Sequence, residues 1–216
     1  MKIHLDFSIS LSRFSKFFVL TDFILLSGWG LIGPVFALFI VDSIPGASAV
    51  TVGIATAIYW LVKSSIQIPI ANFLDKTDGE KDDFRALLIG LLLSAAAAFS
   101  YLAVSKIWHL YLVELLHAIA FAFYVPAWSG LFTRHLEKEK SSLGWSLDST
   151  MVGIAIGITG LIGGYLFDFV GYALIFILTG VLTLMAAAVV MWSPNLLLPK
   201  PATNEPLYIK NHIPRK

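Results

Sequence analysis

Six apolar segments run through the sequence, each about as long as the ~20 residues that a helix needs to cross the ~30 Å hydrocarbon layer of a membrane. They cover residues 17–41, 50–73, 84–104, 108–133, 147–169 and 172–193. Of all residues 57% are hydrophobic and only 13% are charged, about half the charged share of a soluble domain. With no cysteine, a disulfide-stabilised domain is excluded. The sequence predicts an all-α membrane protein with six transmembrane helices.

Basic residues collect in alternate loops. Of the 15 Lys and Arg residues, 13 precede the first span, follow the last, or lie between spans two and three or between spans four and five. Lys106 lies in an opposite loop, and Lys63 lies inside span two. Because basic residues resist translocation, we expect a multi-pass protein of the inner cell membrane with both termini in the cytoplasm. We therefore divide the chain into a cytoplasmic segment at 1–16, a transmembrane domain at 17–193 and a Pro-rich cytoplasmic tail at 194–216. The net charge of +1 favours no nucleic-acid partner.

Four ionisable side chains lie well inside the predicted spans, at least five residues from either end: Asp22, Lys63, Glu114 and His117. Each costs about 2.5–3.5 kcal/mol at the centre of a membrane helix, so each should face protein or a water-filled cavity. Their depths along the helices place Asp22 and Lys63 within reach of each other, which predicts an ion pair. Glu114 and His117 are three residues apart on one helix face and are candidates for proton coupling. The pattern predicts neither a metal site nor a cofactor.

Aromatic and polar side chains recur at helical spacing beside these charges. They are Trp29 in span one, Tyr59, Trp60 and Gln67 in span two, and Tyr124 in span four. Three such stripes around one space predict a central cavity that binds a solute. The alternative is that these rings only fill the contacts between helices.

Small residues form one stripe on span five. The stripe consists of Gly153, Gly157, Gly160 and Gly164. Small residues at this spacing allow helices to approach closely. The stripe therefore predicts tight packing within the chain or a contact between two copies.

The loop between spans two and three resembles a motif of the major facilitator superfamily, G-x-L-A-D-R-x-G-R-K. Asp75 and Lys76 stand where the motif has Asp-Arg, Ala71 replaces its first Gly, and Gly79 arrives one residue late. Two further stretches are similar to family motifs. They are Gly28-Trp-Gly-Leu-Ile-Gly-Pro34 in span one and the glycines of span five, where Thr159-Gly160 stands in place of Gly-Pro. The family's fourth-helix Arg has no counterpart, because Glu114 falls near its place.

The resemblance implies one six-helix half, amino-terminal in type, of an arrangement that usually has twelve helices. It also implies a cytoplasmic gating motif formed by Asp75, Lys76, Gly79, Arg85 and Arg134. In that motif Asp75 engages Arg85 or Arg134, and in the resembled family such contacts latch one conformation. The alternative for this loop is a solvated charged turn that only enforces the topology.

The leading hypothesis is a secondary transporter, without enzymatic activity, that moves a small solute by alternating access with coupling to protons. One six-helix half encloses part of a pathway, so we expect a homodimer or a second six-helix partner. The alternative is a non-transporting membrane subunit that keeps the fold for assembly. An intramembrane hydrolase, based on Gly144-Trp-Ser-Leu147, is set aside because that serine has no paired His on a matching face.

Overall fold

The computed structural model describes residues 12–76, 80–136 and 140–192, and this part of the chain is helical without any strand. The predicted tail at 194–216 and most of the predicted segment at 1–16 lie outside the described residues. The helices are α1 (Arg13–Ile32), α2 (Phe36–Ser43), α3 (Ala49–Leu74), α4 (Lys81–Ser100), α5 (Ile107–His135), α6 (Ser141–Val170) and α7 (Tyr172–Trp192). With α1 and α2 counted as one span, six helical segments are long and apolar enough to cross a membrane. The predicted fold class is confirmed, and the chain is an integral multi-pass membrane protein.

The first span is broken into two helices by a 3-10 turn at Gly33–Val35. Proline has no N–H, and its ring clashes with the carbonyl four residues earlier, so Pro34 interrupts regular helical bonding. At its other end α1 begins earlier than the predicted residue 17. There the side chain of Ser12 accepts a hydrogen bond from the Ser15 N–H at 3.1 Å and satisfies a backbone donor of the first turn.

The fifth span differs most from its prediction. It was expected to begin at residue 147, but α6 begins at Ser141. The serines and the glycine within residues 141–146 lower the hydropathy of this stretch without preventing a helix, so a search for apolar runs misses about the first two turns. As a result Asp148 lies inside the helix rather than at its end.

Aromatic contacts define the two ends of the bundle. The end of the bundle that carries the basic loops is here called the basic end, and the opposite end is called the far end. At the basic end, Phe14 at the start of α1 stacks on His135 at the end of α5, with ring centroids 4.5 Å apart. At the far end, Phe39 of α2 meets Phe176 of α7 at 4.8 Å and Tyr101, just after α4, at 6.3 Å. These contacts bring the helix ends together as an up-and-down bundle requires.

Two helices have much less of their surface covered than the rest. α1 packs against α6 and α7, α4 packs against α5 and α7, and α3 packs mainly against α5. In their most apolar windows α3 and α6 are each 11% buried inside the bundle, whereas the other four spans are 44–50% buried. Each of these two helices therefore has an open face.

The close approach of α1 and α6 does not use the predicted glycine stripe. That stripe consists of Gly153, Gly157, Gly160 and Gly164. At all but Gly160 an added Cβ would meet no atom within 4 Å, and at Gly160 it would lie 3.7 Å from the Gly30 carbonyl oxygen. The tight contacts are at Gly163, which packs on the backbone of Leu31, and at Gly30, which packs on Ile156 and Thr159. Helical spacing identifies a common face but not its neighbour, and this stripe lies on the open side of α6.

Candidate functional site

A cavity of about 200 Å³, here called the far cavity, lies between α1, α3 and α5 towards the far end. Four of the predicted site residues contribute to its wall: Trp29, Tyr59, Glu114 and His117. The structure thus brings together one residue of the first span, one of the second and two of the fourth. Whether this space holds a solute remains a prediction.

Glu114 is the buried carboxylate of the far cavity. The hydroxyl of Tyr101 donates a hydrogen bond to its Oε1 at 2.5 Å, and Nδ1 of His117 lies 3.7 Å from its Oε2. Sequence reasoning missed Tyr101, because a tyrosine at the end of an apolar span is typical of the membrane interface. The carboxylate is therefore held by a neutral donor and lies beside an imidazole.

His117 is positioned by aromatic rings. It stacks face to face on Trp29, with centroids 3.8 Å apart and planes 6° apart, and the ring of Tyr59 lies 4.4 Å away. The indole N–H of Trp29 is itself fixed by donating to the Ser94 hydroxyl at 2.9 Å. Within the described residues, Nδ1 of His117 is buried without a hydrogen-bond partner. Its nearest charged neighbour is the Glu114 carboxylate, whose Oε2 lies 3.7 Å away.

The predicted ion pair between Asp22 and Lys63 is wrong. Asp22 instead accepts a hydrogen bond from the Tyr124 hydroxyl at 2.7 Å. The ammonium of Lys63 lies over aromatic rings, 4.7 Å from the centroid of Trp60 and 5.8 Å from that of Tyr59. Depth along a helix gives the height of a side chain but not the direction in which it points. α5 packs along α3 and also touches α1, so its tyrosine reaches the carboxylate.

Asp148 is a buried carboxylate that sequence reasoning missed. It lies in the second turn of α6, is 6% exposed, and has an Oδ1 without a hydrogen-bond partner in the described part of the chain. The signal that could have found it is the helix-compatible stretch before residue 147, which places this Asp about two turns within the helix rather than at its end.

A second cavity of about 440 Å³ lies at the basic end between α3, α4 and α5. Its wall includes Gln67, Asp75 and Arg134 from the predicted set. Arg134 forms its ion pairs with Asp83 and, at 3.9 Å, with Glu80, both at the start of α4. Among the described residues it forms none with Asp75, contrary to our expectation.

The other residues of the predicted gating motif are dispersed. Arg85 is exposed and lines a separate groove with Phe73 and Phe123. Lys76 is exposed after the end of α3, and Gly79 lies outside the described residues. The ion pairs observed at this end therefore join α4 to α5, whereas the loop motif predicted a contact from the end of α3.

Comparison with known proteins identifies the family of this chain. The family model described as Major Facilitator Superfamily matches residues 18–210, which include all six spans. No curated protein matches the chain. Members of this family are typically transporters rather than enzymes. Because the family model matches most of the chain and the chain has six apolar helices, the chain belongs to the Major Facilitator Superfamily.

Proposed function

We propose that the protein is a secondary transporter that moves a small solute by alternating access and couples this movement to protons. Family membership supports transport in general. The observation that carries the specific proposal is the wall of the far cavity, where Glu114 is buried against Tyr101 and His117. A carboxylate kept inside a membrane bundle is costly unless it serves a cavity, a partner or a proton.

The two cavities suggest how access alternates. Both lie along the contact between α3 and α5, one towards each end of the bundle. The ring of Phe121 packs against Tyr59, Trp29 and His117, next to the far cavity. In the proposed cycle, α3 shifts against α5 so that one cavity opens while the other closes. Protonation of His117 beside Glu114 accompanies the shift.

We also propose that a second copy of the chain covers the open faces of α3 and α6, with the basic ends of both copies in the cytoplasm of an inner membrane. The glycine stripe of α6 supports this pairing. At Gly153, Gly157 and Gly164 a Cβ would meet no atom of this chain, which leaves room for a neighbouring helix. Two copies related by an axis along the membrane normal would form a twelve-helix arrangement.

Transport is tested with purified protein in liposomes that contain a pH-sensitive dye. A panel of amino acids, sugars and small amines is added outside, and internal pH is followed. We expect one class of solute to change internal pH with the wild type and not with Glu114→Gln. Asp168→Asn, which changes an exposed carboxylate, is the matched control and should retain the response. A folded protein that gives no response to any solute would favour the non-transporting subunit.

The pairing is tested by disulfide crosslinking in native membranes, because the chain has no cysteine of its own. Gly157→Cys places a thiol on the open face of α6, and Leu184→Cys places one on an exposed position of α7. We expect oxidised dimers of the chain with the first variant and not with the second. Equal crosslinking of both, or monomers only, would contradict a second copy at this face.

A further inference from the structure

Asp22 and Asp148 are both buried in the basic half of the bundle. They are 7% and 6% exposed, and they lie in the early turns of α1 and α6, which pack against each other. At 1.5 Å per residue, Asp22 is about 13 Å from the start of α1 and Asp148 about 10 Å from the start of α6. Both carboxylates therefore lie in the basic half of the bundle, on two helices that pack against each other.

Tyr124 of α5 forms a hydrogen bond with one of these two carboxylates. Asp22 accepts the hydroxyl proton of Tyr124 at 2.7 Å, while Oδ1 of Asp148 is buried without a hydrogen-bond partner in the described residues. The charges of the two carboxylates are close enough to interact, and the charge of Asp148 also acts on Tyr124. We call these three residues the Asp22 cluster.

No cation compensates the Asp22 cluster among the described residues. On α1 the basic residues Arg13 and Lys16 are exposed, and on α3 Lys63 lies over aromatic rings. α7 contains no charged residue within Tyr172–Trp192. The remaining charged and titratable groups on the helices packed around the cluster lie towards one end of the bundle or the other. They are His109, Tyr111, Glu114, His117, Arg134 and His135 on α5, Tyr59 on α3, Glu80, Lys81, Asp82, Asp83 and Arg85 at the start of α4, Lys140 just before α6, Asp168 and Tyr165 on α6, and Tyr172 on α7.

Two ionised carboxylates in such surroundings would lose hydration and repel each other. A single bound proton removes the repulsion and the desolvation cost of one of the two charges. The tyrosine hydroxyl donates to Asp22 and so stabilises its anionic form, whereas the unpartnered oxygen of Asp148 offers the position for a proton. A metal ion is disfavoured here, because the described residues contain no group of three or more His, Cys, Asp or Glu that could hold one.

We propose that Asp22 and Asp148 form an intramembrane carboxylate pair that binds one proton, carried by Asp148, with Tyr124 fixing Asp22. This site is distinct from Glu114 and His117 and does not depend on transport. Because the pair joins α1 to α6, release of the proton would place two like charges across this helix contact. The proton therefore holds α1 and α6 together.

The test is infrared difference spectroscopy of the full chain in lipid, titrated from neutral to alkaline pH, with the C=O stretch of protonated carboxyl groups as the readout. We expect a band at neutral pH that disappears at alkaline pH. In wild-type protein grown with [4-¹³C]aspartate the band should move, which assigns it to Asp without any substitution. An unmoved band would overturn the proposal.

Variants then assign the residue. Asp148→Asn should remove the band, Asp22→Asn and Tyr124→Phe should change the pH at which it disappears, and Asp168→Asn, the control on the same helix, should leave it unchanged. Glu114→Gln should also leave it unchanged, which separates this site from the proposed transport site. A band that survives in Asp148→Asn, or is lost only in Glu114→Gln, would overturn the assignment.

Discussion

Gly163 gives the sharpest test of how α1 and α6 pack. A Cβ added there would lie 2.9 Å from the carbonyl carbon and 3.0 Å from the α-carbon of Leu31, and closer still to its carbonyl oxygen. Ordinary contacts between carbon atoms are about 3.5–4.0 Å. Because all three atoms belong to the backbone, no side-chain rotation relieves the overlap. In Gly163→Ala the two helices must therefore move apart by about 0.5–1 Å.

The cost of this displacement follows from two opposing effects. Overpacking a well-packed contact costs about 1–3 kcal/mol, while replacing Gly by Ala in a helix returns up to about 1 kcal/mol. We expect a net loss of about 1–2 kcal/mol in the free energy of unfolding. This corresponds to a decrease of about 5–30-fold in the ratio of folded to unfolded protein.

The measurement is a titration of purified protein in mixed micelles with sodium dodecyl sulfate, followed by tryptophan fluorescence and circular dichroism. Gly157→Ala, measured in micelles in which the protein is monomeric, is the matched control, since it makes the same change on the same helix where no atom of this chain lies within 4 Å. It should be as stable as the wild type or slightly more stable. Equal stability of the two variants would refute the packing of Gly163 on Leu31.

Two further contacts are open to the same assay. Asp83→Asn removes the charged partner of Arg134 and should lower the free energy of unfolding by about 1–3 kcal/mol. The loss should lie towards the low end of this range, because the Arg134 side chain is 38% exposed. Asp168→Asn is the control, and an equal effect of the two changes would contradict a role of this ion pair. Trp29→Phe and Ser94→Ala remove the two sides of one hydrogen bond, and a double-mutant cycle should give a coupling of about 0.5–1.5 kcal/mol; strictly additive losses would contradict the bond.

The fold was predictable because the membrane imposes a simple length rule. Apolar runs between charged loops located all six spans, since a lipid-exposed backbone must satisfy its hydrogen bonds within a helix. The rule fails where helices extend beyond the apolar layer. It therefore missed the first two turns of α6 from Ser141, and with them the burial of Asp148. It also missed the break at Pro34, because hydropathy does not register a 3-10 turn.

The candidate site was only partly predictable, because helical spacing shows which residues share a face of a helix but not which helix that face contacts. It correctly grouped Glu114 with His117 on one face, since both belong to one helix. Contacts between helices depend on rotation about each axis, which a single sequence does not encode by spacing alone. For this reason Asp22 was assigned to Lys63 although it meets Tyr124. The same limit applies to Arg134, whose ion pairs go to α4.

The position of Lys63 bears on what covers the open face of α3. Trp60, the ring nearest its ammonium, is 54% exposed, so this cation lies at the edge of the open face rather than in the core. Lipid tails offer a Lys no hydrogen bonds, and the cost of a charge in the membrane is met by protein partners or by water in a cavity. A second six-helix unit over α3, with a water-filled space between the two units, would meet this requirement better than lipid tails would. The position of this charge therefore supports the pairing proposed for the open faces, as the uncovered surface does.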